Sequence, residues 1–195
     1  MSVKLGKGEK VELGKFSRLT SITVGLGWQE RKTSGFDFDL DASVFALEGG
    51  DRVPSDDWFI FYNNLQSPDG SIVHQGDNLT GDDGSTGEDS DDEEIIIDLT
   101  RLPSRIQTLV IPVTIFEAER RRQNFGQVRD SYVRIVDNTT GMELARYDLT
   151  DGAHSEDAMV FAHINRTRIG WEVEAVGHGV SGGLYALCKK FGVNV

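Results

Sequence analysis

The stretch Gly35-Phe36-Asp37-Phe38-Asp39-Leu40-Asp41-Ala42-Ser43-Val44-Phe45-Ala46-Leu47 decides how this chain is read. Apolar and acidic residues alternate strictly through its first half, the two-residue period of a strand rather than the 3.6-residue period of a helix. On a strand spanning Phe36–Leu47, Phe38, Leu40, Ala42 and Val44 share one face, and Asp37, Asp39 and Asp41 share the other. Carboxylates two residues apart on a strand lie about 7 Å from one another. If that face meets further negative charge, the three need a counter-ion.

The same short, punctuated alternation recurs on both sides. It predicts strands at Lys10–Leu13, Ser21–Leu26, Trp58–Tyr62, Glu94–Leu99, Thr108–Phe116, Tyr132–Val136, Glu143–Leu149 and Trp171–Val176. Helical signal is thinner. Glu117–Gln123 reads as about two turns with Arg120, Arg121 and Arg122 outward, Glu156–Asn165 as a longer helix, and Gly183–Phe191 as a short C-terminal one. The expected fold is mainly β, a β-sandwich of two sheets with a few short peripheral helices, in a single domain over residues 1–195.

Further negative charge lies close by. Ten of the 32 acidic residues, and none of the 20 basic ones, fall between Gln75 and Thr100. The segment GDNLTGDDGSTGEDSDDEE cannot bury enough apolar surface to fold alone, yet it lies between two strands of one domain. Such a loop is either solvated or neutralised by a cation. Asp and Asn side chains with glycine-freed carbonyls are hard oxygen donors, which suit calcium better than the tighter octahedron of magnesium. Zinc, iron and copper ask for His or Cys clusters, whereas His74, His154, His163 and His178 are scattered and Cys188 stands alone.

Several other patterns carry less. Asp37, Asp39, Asp41 and Glu48 mimic EF-hand spacing, but Ala42 stands where that loop turns on glycine and a β-type run follows. Gly177-His-Gly-Val-Ser-Gly182 matches GxGxxG, but no second strand or ribose-binding acid follows it. Cys188 has no His–Asp arrangement near it in sequence. The net charge of −12 argues against a nucleic-acid partner. No stretch approaches the roughly 20 apolar residues of a membrane span, and the N-terminus lacks a continuous apolar run. With a single cysteine, these point to a cytoplasmic protein.

Taken together, VGLGW (Val24–Trp28), FDFDLDASVFAL (Phe36–Leu47), FIFYNNLQSPDGSIVHQGDNLTG (Phe59–Gly81), DDE (Asp91–Glu93), FGQVRDSYVRI (Phe125–Ile135), ELARYDL (Glu143–Leu149), AMVF (Ala158–Phe161) and AVGHG (Ala175–Gly179) resemble the TerD-domain proteins associated with tellurite resistance and general stress response. The resemblance covers essentially the whole chain. It implies a calcium-binding β-sandwich that is not an enzyme. Its ligands would come from Asp37, Asp39 and Asp41 on the DxDxD stretch, Asp77, Asn78 and Gly81 on the GDN-x-TG turn, and Asp91, Asp92 and Glu93 of DDE. Asn63 and Asp69 are secondary candidates, and two calcium ions are the expectation. Residues Asp82–Ser90 make a longer link than the family uses, which leaves Asp82, Asp83, Glu88 and Asp89 unassigned. Other tellurium-resistance proteins or a membrane-associated complex are the implied partners. The rival reading is a magnesium- or manganese-dependent hydrolase built on the same carboxylates.

Overall fold

The structure, a computed structural model, describes residues 2–13, 19–29, 35–76, 91–128, 130–148 and 155–195. Thirteen strands run in chain order: β1 (Val3–Lys4), β2 (Lys10–Glu12), β3 (Ser21–Gly27), β4 (Leu40–Ala42), β5 (Val44–Leu47), β6 (Phe59–Ile60), β7 (Ile72–His74), β8 (Glu93–Asp98), β9 (Thr108–Ile115), β10 (Tyr132–Asp137), β11 (Met142–Asp148), β12 (Ala158–Arg166) and β13 (Trp171–Val180). Among the described residues two α-helices accompany them, α1 (Ala118–Arg121) and α2 (Gly183–Phe191). One sheet has the order β1-β11-β10-β3-β8-β7, and the other β2-β13-β12-β9-β5-β6 with β4 also on β9. This is the expected two-sheet, mainly β architecture.

Alternation along the strands builds the core. Ile22, Val24 and Leu26 of β3, Ile95 and Ile97 of β8, and Val133 and Ile135 of β10 are all buried at every second position. Phe45 of β5 stacks on Phe59 with ring centroids 4.2 Å apart and meets Phe191 of α2 at 4.9 Å, so α2 closes over that face of the second sheet.

Three predicted elements are corrected. Glu156–Asn165 is not a helix: Ala158–Arg166 is β12, paired on one side with β9 and on the other with β13. Its run Ala-Met-Val-Phe-Ala is buried without interruption, and a strand covered on both faces loses the alternation that distinguishes it from a buried helix. Phe36–Leu47 is not one strand. The carbonyls of Phe36 and Asp37 accept from Gln123 Nε2 at 2.8 and 3.1 Å, and that of Phe38 accepts from Trp28 Nε1 at 3.1 Å, so side chains take the places of a ladder. Further along, Ser43 donates to the carbonyl of Pro112 at 3.1 Å, and proline has no N–H to return, which splits β4 from β5 within one register. Trp58–Tyr62 is also shorter than expected: Trp58 ends a 3-10 turn over Asp56–Trp58, and the strand is Phe59–Ile60.

The glycine motif near the C-terminus also finds its place. Gly177 lies inside β13 at φ +55°, where Val176 and Gly177 together face the one residue Phe161 of β12. That is a β-bulge, and a side chain there would collide with the Tyr147 hydroxyl.

Candidate functional site

Both ends of the acidic segment are fastened to the backbone of one residue, Ala42. Glu93, at the start of β8, is buried, and its Oε2 accepts the Ala42 N–H at 2.7 Å. His74, at the end of β7, is also buried. Its Nδ1 accepts the Gly76 N–H at 3.2 Å, so its proton sits on Nε2, which donates to the Ala42 carbonyl at 3.2 Å. The peptide groups on either side of Ala42 are thus held by residues three positions before Asp77 and three after Ser90. Hydrogen bonds to a buried carboxylate in a low-dielectric setting are among the stronger ones a fold makes.

On the other side of β4 the two acidic residues of the DxDxD stretch are buried as well, Asp39 at 4% and Asp41 at 6% exposure. Arg121 Nη1 lies 3.4 Å from Asp39 Oδ2, and its guanidinium lies over the rings of Phe116 at 5.2 Å and Phe36 at 5.9 Å. Of the three arginines expected to point outward, Arg121 therefore turns inward, because α1 is a single turn that brings it over the Asp39 carboxylate. Asp41 pairs in register with Thr114 of β9, and the two side chains line an open groove beside the N-terminus of α2. Asp37, outside any strand, is exposed.

The three acidic residues of DDE diverge. Asp91 is directed onto the outer face of the first sheet, where its carboxylate accepts from Arg134 Nε at 2.9–3.0 Å and from the Tyr132 hydroxyl at 3.1 Å. It lies directly over Gly25 of β3: a Cβ there would stand 2.1 Å from Asp91 Oδ2. Burial pushes the Asp91 carboxyl up, with Arg134 and Tyr132 pulling it back. Asp92 Oδ2 accepts the Trp28 N–H at 2.9 Å, and Glu93 turns inward to Ala42.

Of the secondary candidates, Asp69 serves local structure. Asp69 Oδ1 accepts from the Ser67 hydroxyl at 2.8 Å and from the Ser71 N–H and hydroxyl at 3.0 and 2.8 Å, an Asp-centred turn. Although burial works the other way, these bonds hold its carboxyl below the usual range. Asn63 is exposed.

The fold therefore brings Asp39, Asp41 and Glu93 to the two sides of β4, engages Asp69, Asp91 and Asp92 in other bonds, and leaves Asn63 exposed elsewhere. Among the described residues, no three His, Cys, Asp or Glu side chains converge as a metal cage. Asp77, Asn78 and Gly81 lie outside the described residues. The partners Gly25, Arg134, Tyr132, Arg121 and His74 come from far along the chain, and no spacing pattern marks them.

A family model described as the TerD domain matches residues 1–191. The chain is 46% identical over 195 residues to the tellurium resistance protein TerD of Serratia marcescens, covering 100% of this chain and 99% of that one. It is 43% identical over 197 residues to general stress protein 16U of Bacillus subtilis (strain 168), covering 100% of both. The crystal structure of a homologue of telluride resistance protein (TerD) from Streptomyces coelicolor A3(2) superposes with a TM-score of 0.68 at 22% identity, over 87% of this chain and 95% of that one, a likeness of fold. On this sequence agreement along its whole length, the chain belongs to the TerD domain family.

Proposed function

We propose that this protein is a calcium-binding, non-enzymatic protein of the tellurium-resistance and stress-response type, working in the cytoplasm. In this reading the acidic segment and the stretch around Asp39 and Asp41 share divalent cations, two per chain, and the metal-loaded end of the sandwich presents a surface to a protein partner. The observation that carries it is the attachment of both ends of the acidic segment to Ala42 through His74 and Glu93. Five carboxylates fall in residues 77–90 of the sequence between those two attachments, and Asp39 and Asp41 are buried beside β4. Concentrated negative charge of this kind favours a hard divalent ion over solvent alone. Asp77, Asn78, Gly81 and Asp41 are the ligands favoured. Asp91 and Asp92 serve this reading as anchors of the segment's return.

No helix among the described residues is long and apolar enough to cross a membrane. A ligand that binds only the folded state stabilises it by about 2.7 kcal/mol at a hundred times its dissociation constant. For a domain of this size that raises the melting midpoint by roughly 5–10 °C. Differential scanning in millimolar calcium, in magnesium and in chelator should show that rise with calcium, reduced in Asp77→Ala. Superimposable traces in calcium and chelator would refute the proposal.

A further inference from the structure

The groove beside the N-terminus of α2 has a volume of about 380 Å³, at the small end of the range for binding sites. Rings of Tyr62, Phe116 and Tyr185 and the carboxyl-bearing residues Asp41, Glu119 and Asp157 line it. Among the described lining residues the one basic side chain, Arg120, is ion-paired with Glu117 of the same rim. Tyr185 is 60% exposed and Phe116 37% exposed, so large aromatic surface is held open to solvent on both banks.

These rings are positioned by the core. Phe45, Phe59 and Phe61 stack in sequence, Tyr62 meets Phe61 edge-on at 5.1 Å, and Phe116 meets Tyr62 at 6.3 Å. Two of them already attract cations of their own chain: Arg121 lies 5.2 Å from the Phe116 centroid and Lys189 lies 5.4 Å from that of Tyr185. Asp157 meanwhile accepts the N–H groups of Gly182 and Gly183 at 3.0 and 2.9 Å, so the start of α2 is already capped and does not call for an anion.

Aromatic faces flanking carboxylates recognise an organic cation, through cation–π attraction and charge-assisted hydrogen bonds. We propose that this groove is a docking site for a lysine or arginine side chain on a basic segment of a partner protein. Charge complementarity selects the partner, since the chain carries a net −12 and the groove is acidic. Its openness selects a side chain presented by a surface over a free small molecule, which needs most of its own surface buried. The inference rests on the partner-binding part of the reading above, and because Asp41 both lines the groove and is a favoured calcium ligand, the peptide is titrated without calcium.

The test is fluorescence anisotropy with a fluorescein-labelled peptide of alternating lysine and glycine, in chelator at about 0.15 M salt so that diffuse attraction is screened. Tyr185→Ser with Glu119→Gln should weaken binding by about tenfold, from the loss of one cation–π contact and one charge. Asp51→Asn is the charge control: it is exposed at the far end of β5 with φ +57°, a conformation asparagine tolerates, and it should leave binding unchanged. Equal affinity for the groove variant and the wild type, or equal losses in groove and control variants, would overturn the proposal. So would saturable binding of spermidine where the peptide shows none, because the groove would then serve a free polyamine. The melting experiment in calcium decides the metal reading separately, since neither groove variant touches its favoured ligands.

Discussion

Replacing Gly25 by alanine tests whether Asp91 is an anchor. The added Cβ would stand 2.1 Å from Asp91 Oδ2 and 2.3 Å from its Cγ. The Asp91 side chain is 2% exposed and held by Arg134 and Tyr132, so it cannot swing aside without giving up those bonds. Hydrogen bonds to a charged group are worth about 1.5–3 kcal/mol each, and breaking a buried pair costs about 3–5 kcal/mol. Arg134 keeps a neighbour in Glu143 at 3.7 Å, which places the expected loss at the lower end, about 3 kcal/mol or roughly 9 °C in melting midpoint.

Removing the carboxylate should remove the clash. In an Asp91→Ala background, Gly25→Ala should be neutral or stabilising by up to about 1 kcal/mol, the usual effect of alanine for glycine where the backbone permits it. The coupling between the two sites is then about 3 kcal/mol, well beyond the scatter of independent sites. Urea unfolding followed by the fluorescence of the buried Trp28, Trp58 and Trp171 gives all four corners of the cycle. If Gly25→Ala costs the same with and without the Asp91 carboxylate, the anchoring argument is wrong.

Two further outcomes follow from the titrating groups. The Thr100 hydroxyl, with the Thr100 and Arg101 N–H groups, holds the Asp98 carboxyl below its usual range. A depressed carboxyl contributes stability above its unfolded pKa, about 3.9, and loses it as pH falls through the folded value. Asp98→Asn should therefore lower the urea midpoint more at pH 7 than near pH 3; an equal loss at both would contradict the assignment. Burial raises the Cys188 thiol to about 11, so the native protein should resist Ellman's reagent at pH 8 and react fully in urea. Rapid reaction of the folded protein would show the thiol to be accessible.

β8 and much of β10 were legible because one face is buried and the other is more open, whereas β3, buried on both faces, was legible from the side-chain alternation of Ile22, Val24 and Leu26 with Thr23, Gly25 and Gly27. Gly183–Phe191 was legible as a helix from its periodicity and the glycine that ends it. β12 was not, since burial on both faces erases alternation. Nor was the break at Ser43, which depends on Pro112 standing opposite on a strand almost seventy residues away in sequence. The acidic candidates were visible as a composition, but their division of labour was not. Asp91, Asp92 and Glu93 are consecutive and chemically alike, yet they face Arg134, Trp28 and Ala42 in three directions. Only the long-range pairing of β8 with β3, and of β3 with β10, decides which partner each carboxylate meets.

The proposed function requires a divalent ion shared by carboxylates of the acidic segment and of the DxDxD stretch. Isothermal titration calorimetry of calcium and of magnesium into chelator-stripped protein tests it directly. The expected result is two calcium ions per chain, magnesium weaker by about tenfold or more, and loss of at least one calcium in Asp41→Asn combined with Asp77→Ala. Absence of calcium binding heat, or the same stoichiometry and affinity in the double variant, would contradict it.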